Sequence, residues 1–134
     1  MIQDVISQIQ ASVLTIPGIQ SAPVTVPEAP GGFPFCCSYP RKGSLKTEGA
    51  GWAHSFHTIF TEIHVSRQLL SLSVMTAIGF LDPFFKILIA DPTLAGTVST
   101  IQDIRYTFGK LEWAGIETIG IRFELDVKMN LEVS

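Results

Sequence analysis

Apolar and polar residues alternate most regularly at the end of the chain. From Ile119 to Val133 every odd-numbered position is apolar, and the even-numbered positions between them are polar or glycine. A period of two residues is typical of a strand with one buried and one hydrated face. About sixteen residues of strand extend roughly 50 Å, two to three times the usual length. We therefore predict a long C-terminal strand that curves, carries a bulge or projects past its own domain.

A helical period appears in two other parts of the chain. The first thirteen residues have apolar side chains at steps of three and four, which predicts an amphipathic helix that stops at Ile16-Pro17-Gly18. The apolar run from Arg67 to Leu81 predicts a second helix. Asp82-Pro83 is typical of a cap followed by a first-turn proline, so we predict a short third helix from Pro83 to Ile89.

The remaining segments predict strands and irregular connections. Prolines and glycines from Ser21 to Gly32 predict an extended connector, and the apolar Phe33 to Ser38 predicts a short strand. Arg41 to Gly51 has almost nothing to bury and predicts a mobile loop, after which His57 to Val65 alternates as the second arm of a long hairpin. Thr97 to Phe108 predicts a third strand, with the reversal at Gly109-Lys110 or at Trp113-Ala114-Gly115.

These elements predict one α+β domain over residues 1–134. We expect a mainly antiparallel sheet of about four strands, flanked by two or three helices and containing the long C-terminal strand. Of the 134 residues 46% are hydrophobic and 16% charged, which is enough to form a core and leaves apolar surface for partners.

Composition also narrows the classes of partner. The formal net charge of -3 and nine scattered Lys and Arg residues argue against specific nucleic-acid binding. The uncharged stretch from Leu69 to Leu81 is shorter than the roughly 20 residues that cross a bilayer, so we expect no membrane span. The first residues lack the basic start and apolar run of a signal peptide, which predicts a cytoplasmic protein.

Candidate catalytic and metal-ligating residues form no recognisable motif in the sequence. Cys36 and Cys37 are neighbours on opposite faces of a strand, so we expect two packed thiols. His54 and His64 lie about 33 Å apart along a strand and His57 faces the other side, which predicts surface or loop histidines and no metal site. Nucleophile-elbow and phosphate-loop motifs are missing, and we predict no enzyme activity and no cofactor.

Charged and aromatic residues outside the predicted core are the candidates for partner binding. Trp52 and Trp113 each fit a lid over the core or an interface anchor, and the charges of the last strand fit a solvated face or a contact between subunits. The candidate partner-binding residues are Arg41, Lys42, Lys46, Trp52, Trp113, Arg122, Glu124, Asp126 and Lys128.

Five features of the chain occur together in one order. They are the first helix ending in Ile16-Pro17-Gly18-Ile19, the strand Phe33-Pro34-Phe35, the polar loop before a long second strand, the segment from Asp91 to Ile101, and the closing segment from Gly120 to Val127. In this layout and in these short phrases the chain resembles the tail terminator, or tail completion, proteins of long-tailed bacteriophages, the family that includes the minor tail protein U type. The resemblance covers nearly the whole chain.

The resemblance implies a structural virion protein without catalysis. Such a protein forms a ring, expected to be a hexamer, on the finished tail tube, ends tube polymerisation and joins the tube to the head-side connector or completion protein. It would be located in the virion tail or neck, and in the host cytoplasm during assembly. A neck or head-completion adaptor remains open, as does a small ligand-binding domain or enzyme with a pocket between helix and sheet.

Overall fold

The computed structural model describes residues 2–23, 32–66 and 70–132, and it has the α+β architecture that the sequence predicts. The four strands form one antiparallel sheet in the order β1-β2-β4-β3. In chain order the elements are α1 (Ile2–Val13), β1 (Phe35–Gly49), β2 (Trp52–Val65), α2 (Leu70–Ile78), α3 (Leu81–Ala90), β3 (Thr100–Trp113) and β4 (Ile116–Glu132).

Two long hairpins, β1–β2 and β3–β4, lie side by side in this sheet. Their turns are at opposite ends, because β2 pairs with β4 from Trp52↔Glu132 to Val65↔Ile119. The second turn is Ala114-Gly115, whose φ angles of 53° and 80° suit the tight turn that matches strand twist. The alternative reversal at Gly109-Lys110 is wrong, since both residues pair with β4 inside the hairpin.

The last strand follows the predicted alternation closely. β4 is 17 residues long, and its odd-numbered side chains from Ile119 to Met129 are buried. Leu131 is 41% exposed, so the buried face ends before the strand does. The predicted end at Val133 lies outside the described residues.

All three helices pack on the sheet face formed by the odd-numbered residues of β2 and β4, which we call the helix face. Val5 of α1 and Ala77 of α2 belong to the same core cluster as Phe123 of β4. Phe84 of α3 stacks on Phe123 with ring centroids 3.9 Å apart. The opposite face, which carries the even-numbered residues of β2 and β4, has no helix in the described part of the chain, and we call it the open face.

Helix boundaries differ from the prediction at several points. α1 ends at Val13, and a turn follows through Gly18, which has a φ of 99° and lies under the Phe80 ring. The predicted helix from Arg67 to Leu81 is shorter and stops before Gly79; its start at Arg67 lies outside the described residues. α3 begins at Leu81, so Asp82-Pro83 forms its first turn and is not its cap.

The largest correction concerns the predicted loop from Arg41 to Gly51. Residues Arg41 to Gly49 form the outer half of β1 and pair with β2. Every side chain there is exposed, so the segment lacks the apolar periodicity by which a strand is recognised. Only the turn at Ala50-Gly51 is outside a strand.

The stretch Leu72–Ala90 is long and apolar enough to cross a membrane, judged by its length and its mean hydropathy of 1.7 alone. The chain bends within it at Gly79-Phe80, where α2 gives way to α3. Core residues Ala77, Phe84 and Leu88 come from this stretch, whereas Met75 and Ile89 are 68% and 74% exposed. Core helices of water-soluble folds pass the same test, so the finding is weak evidence for a membrane span.

Candidate functional site

A buried polar network occupies one end of the open face, and Glu62 is at its centre. The alternation of β2 places Glu62 and His64 on this face, with Arg122 directly opposite Glu62 on β4. Only 1% of the Glu62 side chain is exposed. Its Oε2 accepts hydrogen bonds from Arg122 Nε at 2.9 Å and from the Tyr39 hydroxyl at 2.5 Å. A buried carboxylate is tolerated here because a cation and a hydroxyl pair with it.

His64 connects this carboxylate to two further residues. Its Nε2 lies 2.9 Å from Glu62 Oε1 and 3.9 Å from the sulfur of Cys37, while its Nδ1 lies 2.6 Å from the Thr118 hydroxyl. Cys37, Glu62 and His64 are all buried, and one donor atom from each lies within 4.8 Å of the other two. The fold therefore brings into one cluster residues that are up to 27 positions apart in the sequence.

Aromatic rings cover the network. The centroid of the Trp113 ring lies 6.2 Å from that of His64, 5.8 Å from that of Tyr39 and 6.4 Å from that of Phe35. The Arg122 guanidinium lies 5.0 Å from the centroid of the Phe60 ring. Trp113 thus covers a small second core on the open face, which is a lid role.

The surroundings of this network lower the pKa of Glu62 and raise the pKa values of Cys37 and Tyr39. Burial alone would raise the pKa of Glu62, but hydrogen bonds from His64, Tyr39 and Arg122 outweigh burial and hold the pKa below its ordinary value. Burial, followed by the charge of Glu62, raises the pKa of the Cys37 thiol well above its ordinary value. Burial and the hydrogen bond to Glu62 also raise the pKa of Tyr39. Cys37 is accordingly a thiol at neutral pH and a poor nucleophile.

The geometry also argues against a catalytic triad. A nucleophile, a base and an orienting carboxylate must use the two nitrogens of the imidazole in series. Here Cys37 and Glu62 approach the same nitrogen of His64, and Thr118 takes the other one. The cluster is suited to holding charge or an ion in place.

A charged open groove crosses the middle of the open face. Arg105 of β3 reaches over β4 and binds Asp126 at 2.7 Å and Glu124 at 3.1 Å, and it also binds Asp103 at 2.6 Å. Its hydrogen bond to Asp126 is the main reason that the pKa of this carboxyl is lowered, and Lys42 contributes through its charge. The groove has a volume of about 470 Å³. It is too open to enclose a small molecule as most ligand pockets do.

The structure separates the candidate partner-binding residues into three groups. Arg41, Lys42 and Lys46 are exposed on the outer half of edge strand β1, and Trp52 is 44% exposed at the end of β2. Half-buried Lys128 lies on the open face opposite Phe56. The others are held by internal partners and are correspondingly less available: Trp113 in the aromatic cover, Arg122 on Glu62, and Glu124 and Asp126 on Arg105.

Two sequence interpretations change at this site. His64 is fully buried, so its assignment as a surface or loop histidine is wrong. Cys37, Tyr39, Glu62 and Thr118 were not singled out as a group, because they come from three strands that are far apart in sequence. Cys36 and Cys37 are free buried thiols on opposite faces of β1, as predicted.

Comparison with models of known protein families finds no match to this chain, and a search of curated proteins finds none.

Proposed function

We propose that this protein is a structural assembly subunit, and specifically a phage tail terminator. Copies of the chain form a ring, expected to be a hexamer, on the end of the tail tube. The ring ends tube polymerisation and offers its other side to the head-side connector or completion protein. A neck or head-completion adaptor is the alternative within the same class. The tail assignment rests on the resemblance described above, and the proposal of self-assembly is supported by the sheet edges.

The observation that carries self-assembly is that both edges of the sheet are long strands. β1 has 15 residues and β3 has 14, and each has one neighbouring strand in the sheet. Ser21 also bridges the first residue of β1, whereas the outer half of β1 pairs only with β2 among the described residues. An edge strand presents unpaired backbone N–H and C=O groups, to which a strand of another chain can add. The outer half of β1 is exposed throughout. This arm is accessible to a neighbouring subunit.

A contact between the β1 edge of one copy and the β3 edge of the next would build a ring and not a two-fold dimer. When the β1 edge of one copy meets the β3 edge of the next, the contact is heterologous, and successive contacts close into a ring if the rotation allows it. Two β1 edges would instead bring like charges together, since the outer half of β1 carries three cations and one carboxylate. The β3–β4 hairpin carries six carboxylates and four cations, which favours the β1-to-β3 contact.

The first test is the mass and shape of the purified protein. We expect light scattering to give a multiple of 14.6 kDa, and negative-stain images to show rings that attach to the ends of assembled tail tubes. Rings without attachment to tubes would favour the neck adaptor. A monomer at all concentrations, with or without tubes, would overturn the proposal.

Charge reversal tests which surfaces meet. Lys42→Glu/Lys46→Glu should lower the oligomer mass, whereas Lys86→Glu, at an exposed site on α3, should leave it unchanged. Adding Asp103→Lys/Glu112→Lys to the first variant should restore assembly, because both edges then have reversed charge. An equal effect of Lys42→Glu/Lys46→Glu and Lys86→Glu on the oligomer mass would contradict the β1 contact.

A function of another class is favoured by one observation, the charged groove on the open face. Lys42, Arg105 and Asp126 line it together and could recognise a small polar ligand. The groove is open, and Arg105 and Asp126 are already paired with each other, so we rank ligand binding second. A monomer whose thermal stability rises with a polar metabolite would favour this function.

A further inference from the structure

We propose that Cys37, Glu62 and His64 form a binding site for one transition-metal dication of the Zn²⁺ class. This inference does not depend on the assembly function. It rests on three different donor types that meet in a buried cluster on the open face.

The donor spacing fits a tetrahedral ion with small adjustments. Zn–S bonds of about 2.3 Å and Zn–N or Zn–O bonds of about 2.0–2.2 Å place tetrahedral donor atoms roughly 3.3–3.6 Å apart. His64 Nε2 lies 3.9 Å from Cys37 Sγ and 2.9 Å from Glu62 Oε1, on either side of that range. An ion between these atoms would replace the proton that the imidazole nitrogen otherwise shares with Glu62.

Neighbouring residues already orient two of the three donors, His64 and Glu62. Thr118 contacts Nδ1 of His64, which directs Nε2 toward the cluster. Arg122 and Tyr39 both bind Oε2 of Glu62 and so leave Oε1 on the side of the imidazole. Outer hydrogen bonds of this kind hold ligands in metal sites and typically change metal affinity by about 10- to 100-fold.

The chemistry of the donors selects the metal class. A thiolate, an imidazole and a carboxylate suit Zn²⁺ and its analogue Co²⁺, whereas Mg²⁺ and Ca²⁺ prefer oxygen ligands. Burial disfavours a bare Cys37 thiolate, but the charge of a bound dication would stabilise it. Binding then releases the thiol proton, so affinity should increase with pH. Three protein ligands leave a fourth position for water, because the second oxygen of Glu62 already accepts hydrogen bonds from Arg122 and Tyr39.

The wild-type protein provides a test that needs no substitution. The full chain is unfolded, refolded with one equivalent of Co²⁺ or Zn²⁺, and freed of excess metal, because the aromatic cover limits entry into the folded site. We expect one metal per chain and a thiolate-to-Co²⁺ charge-transfer band. X-ray absorption of the Zn²⁺ form should show one sulfur at about 2.3 Å. Less than about half an equivalent of metal, or a shell of nitrogen and oxygen alone, would overturn the proposal.

Matched variants locate the site. Cys37→Ser should abolish the charge-transfer band and weaken Zn²⁺ binding at least about tenfold in competition with a chromophoric chelator. Cys36→Ser changes the adjacent thiol, which faces the helices, and should keep the band. His64→Gln should weaken binding, whereas His54→Gln, ten residues along the same face, should not. If Cys37→Ser does not fold, the wild-type spectra decide. Loss of the band in Cys36→Ser but not in Cys37→Ser would contradict the assignment.

Discussion

Replacing Arg122 by methionine tests whether the buried carboxylate of Glu62 depends on its cation. Arg122→Met keeps an unbranched apolar side chain but removes the guanidinium, which lies over the Phe60 ring. Glu62, whose side chain is 1% exposed in the wild type, then keeps His64 and Tyr39 as its partners. We expect a clear loss of stability without a change of fold.

The expected loss of unfolding free energy in Arg122→Met depends on how exposed Arg122 and Glu62 are. A hydrogen bond to a charged group contributes about 1.5–3 kcal/mol. Because the Arg122 side chain is 36% exposed, solvent screening places its contribution near the lower end, at about 1.5–2 kcal/mol. The contact with the Phe60 ring adds about 0.5 kcal/mol. A total near 2 kcal/mol lowers the melting temperature of a domain of this size by roughly 8 °C.

The dependence of stability on pH provides a second readout. The pKa of Glu62 is lowered in the folded chain, so its stabilising contribution is complete above the unfolded pKa near 4.3 and is lost as pH falls through the folded value. Without Arg122 the folded pKa of Glu62 rises. The difference in unfolding free energy between pH 7 and pH 3, measured by urea denaturation, should therefore be smaller in Arg122→Met than in the wild type.

Arg105→Met is the matched control. Arg105 also binds carboxylates across the hairpin, but its side chain and those of Asp103, Glu124 and Asp126 are partly or largely exposed. We expect a much smaller loss of stability, since exposed ion pairs contribute little. Equal losses in the two variants, with an unchanged pH profile in Arg122→Met, would refute the idea that Arg122 compensates a buried charge.

Three further substitutions test the sheet. Leu125→Glu places a charge at a fully buried position and should cost more than about 4 kcal/mol, seen as loss of soluble folded protein by circular dichroism, whereas Leu131→Glu at the exposed end of the strand should fold. Ala114→Asn should raise the unfolding free energy by about 0.5–1 kcal/mol, because asparagine suits the positive φ of the turn; a lower midpoint in urea would contradict this. Gly120→Ala should cost about 3 kcal/mol, because its Cβ would meet the carbonyl oxygen of Ile63; a melting temperature equal to that of the wild type would contradict that contact.

The sequence predicted best those parts of the fold in which one face is buried. β4 has this pattern from Ile119 to Met129, and its alternation predicted both the strand and the core residues. The outer half of β1 is exposed on both faces, and Gly43 and Gly49 lower its strand propensity, so its pattern is that of a loop. Only pairing with β2 makes it a strand, and pairing partners are not visible in local composition.

The buried polar network could not be predicted in the same way. Glu62 and Arg122 are 60 residues apart in sequence, and each alone is typical of a hydrated strand face. The alternation of β2 did place Glu62 and His64 on one face. It could not show that Phe35 and Trp113 cover this end of the open face, because that cover depends on how the two hairpins align.

The central position of the β2–β4 pair has a consequence for synthesis on the ribosome. Each hairpin joins neighbours in sequence and can form soon after its second strand emerges. The pair between them joins residues as distant as Trp52 and Glu132, so it cannot be completed until β4 has been synthesised. Until then the backbone groups along one edge of β2 lack their partner strand, and they can pair with other nascent chains. We expect chaperones to bind the nascent chain mainly in the period after the β1–β2 hairpin has emerged and before β4 has been synthesised.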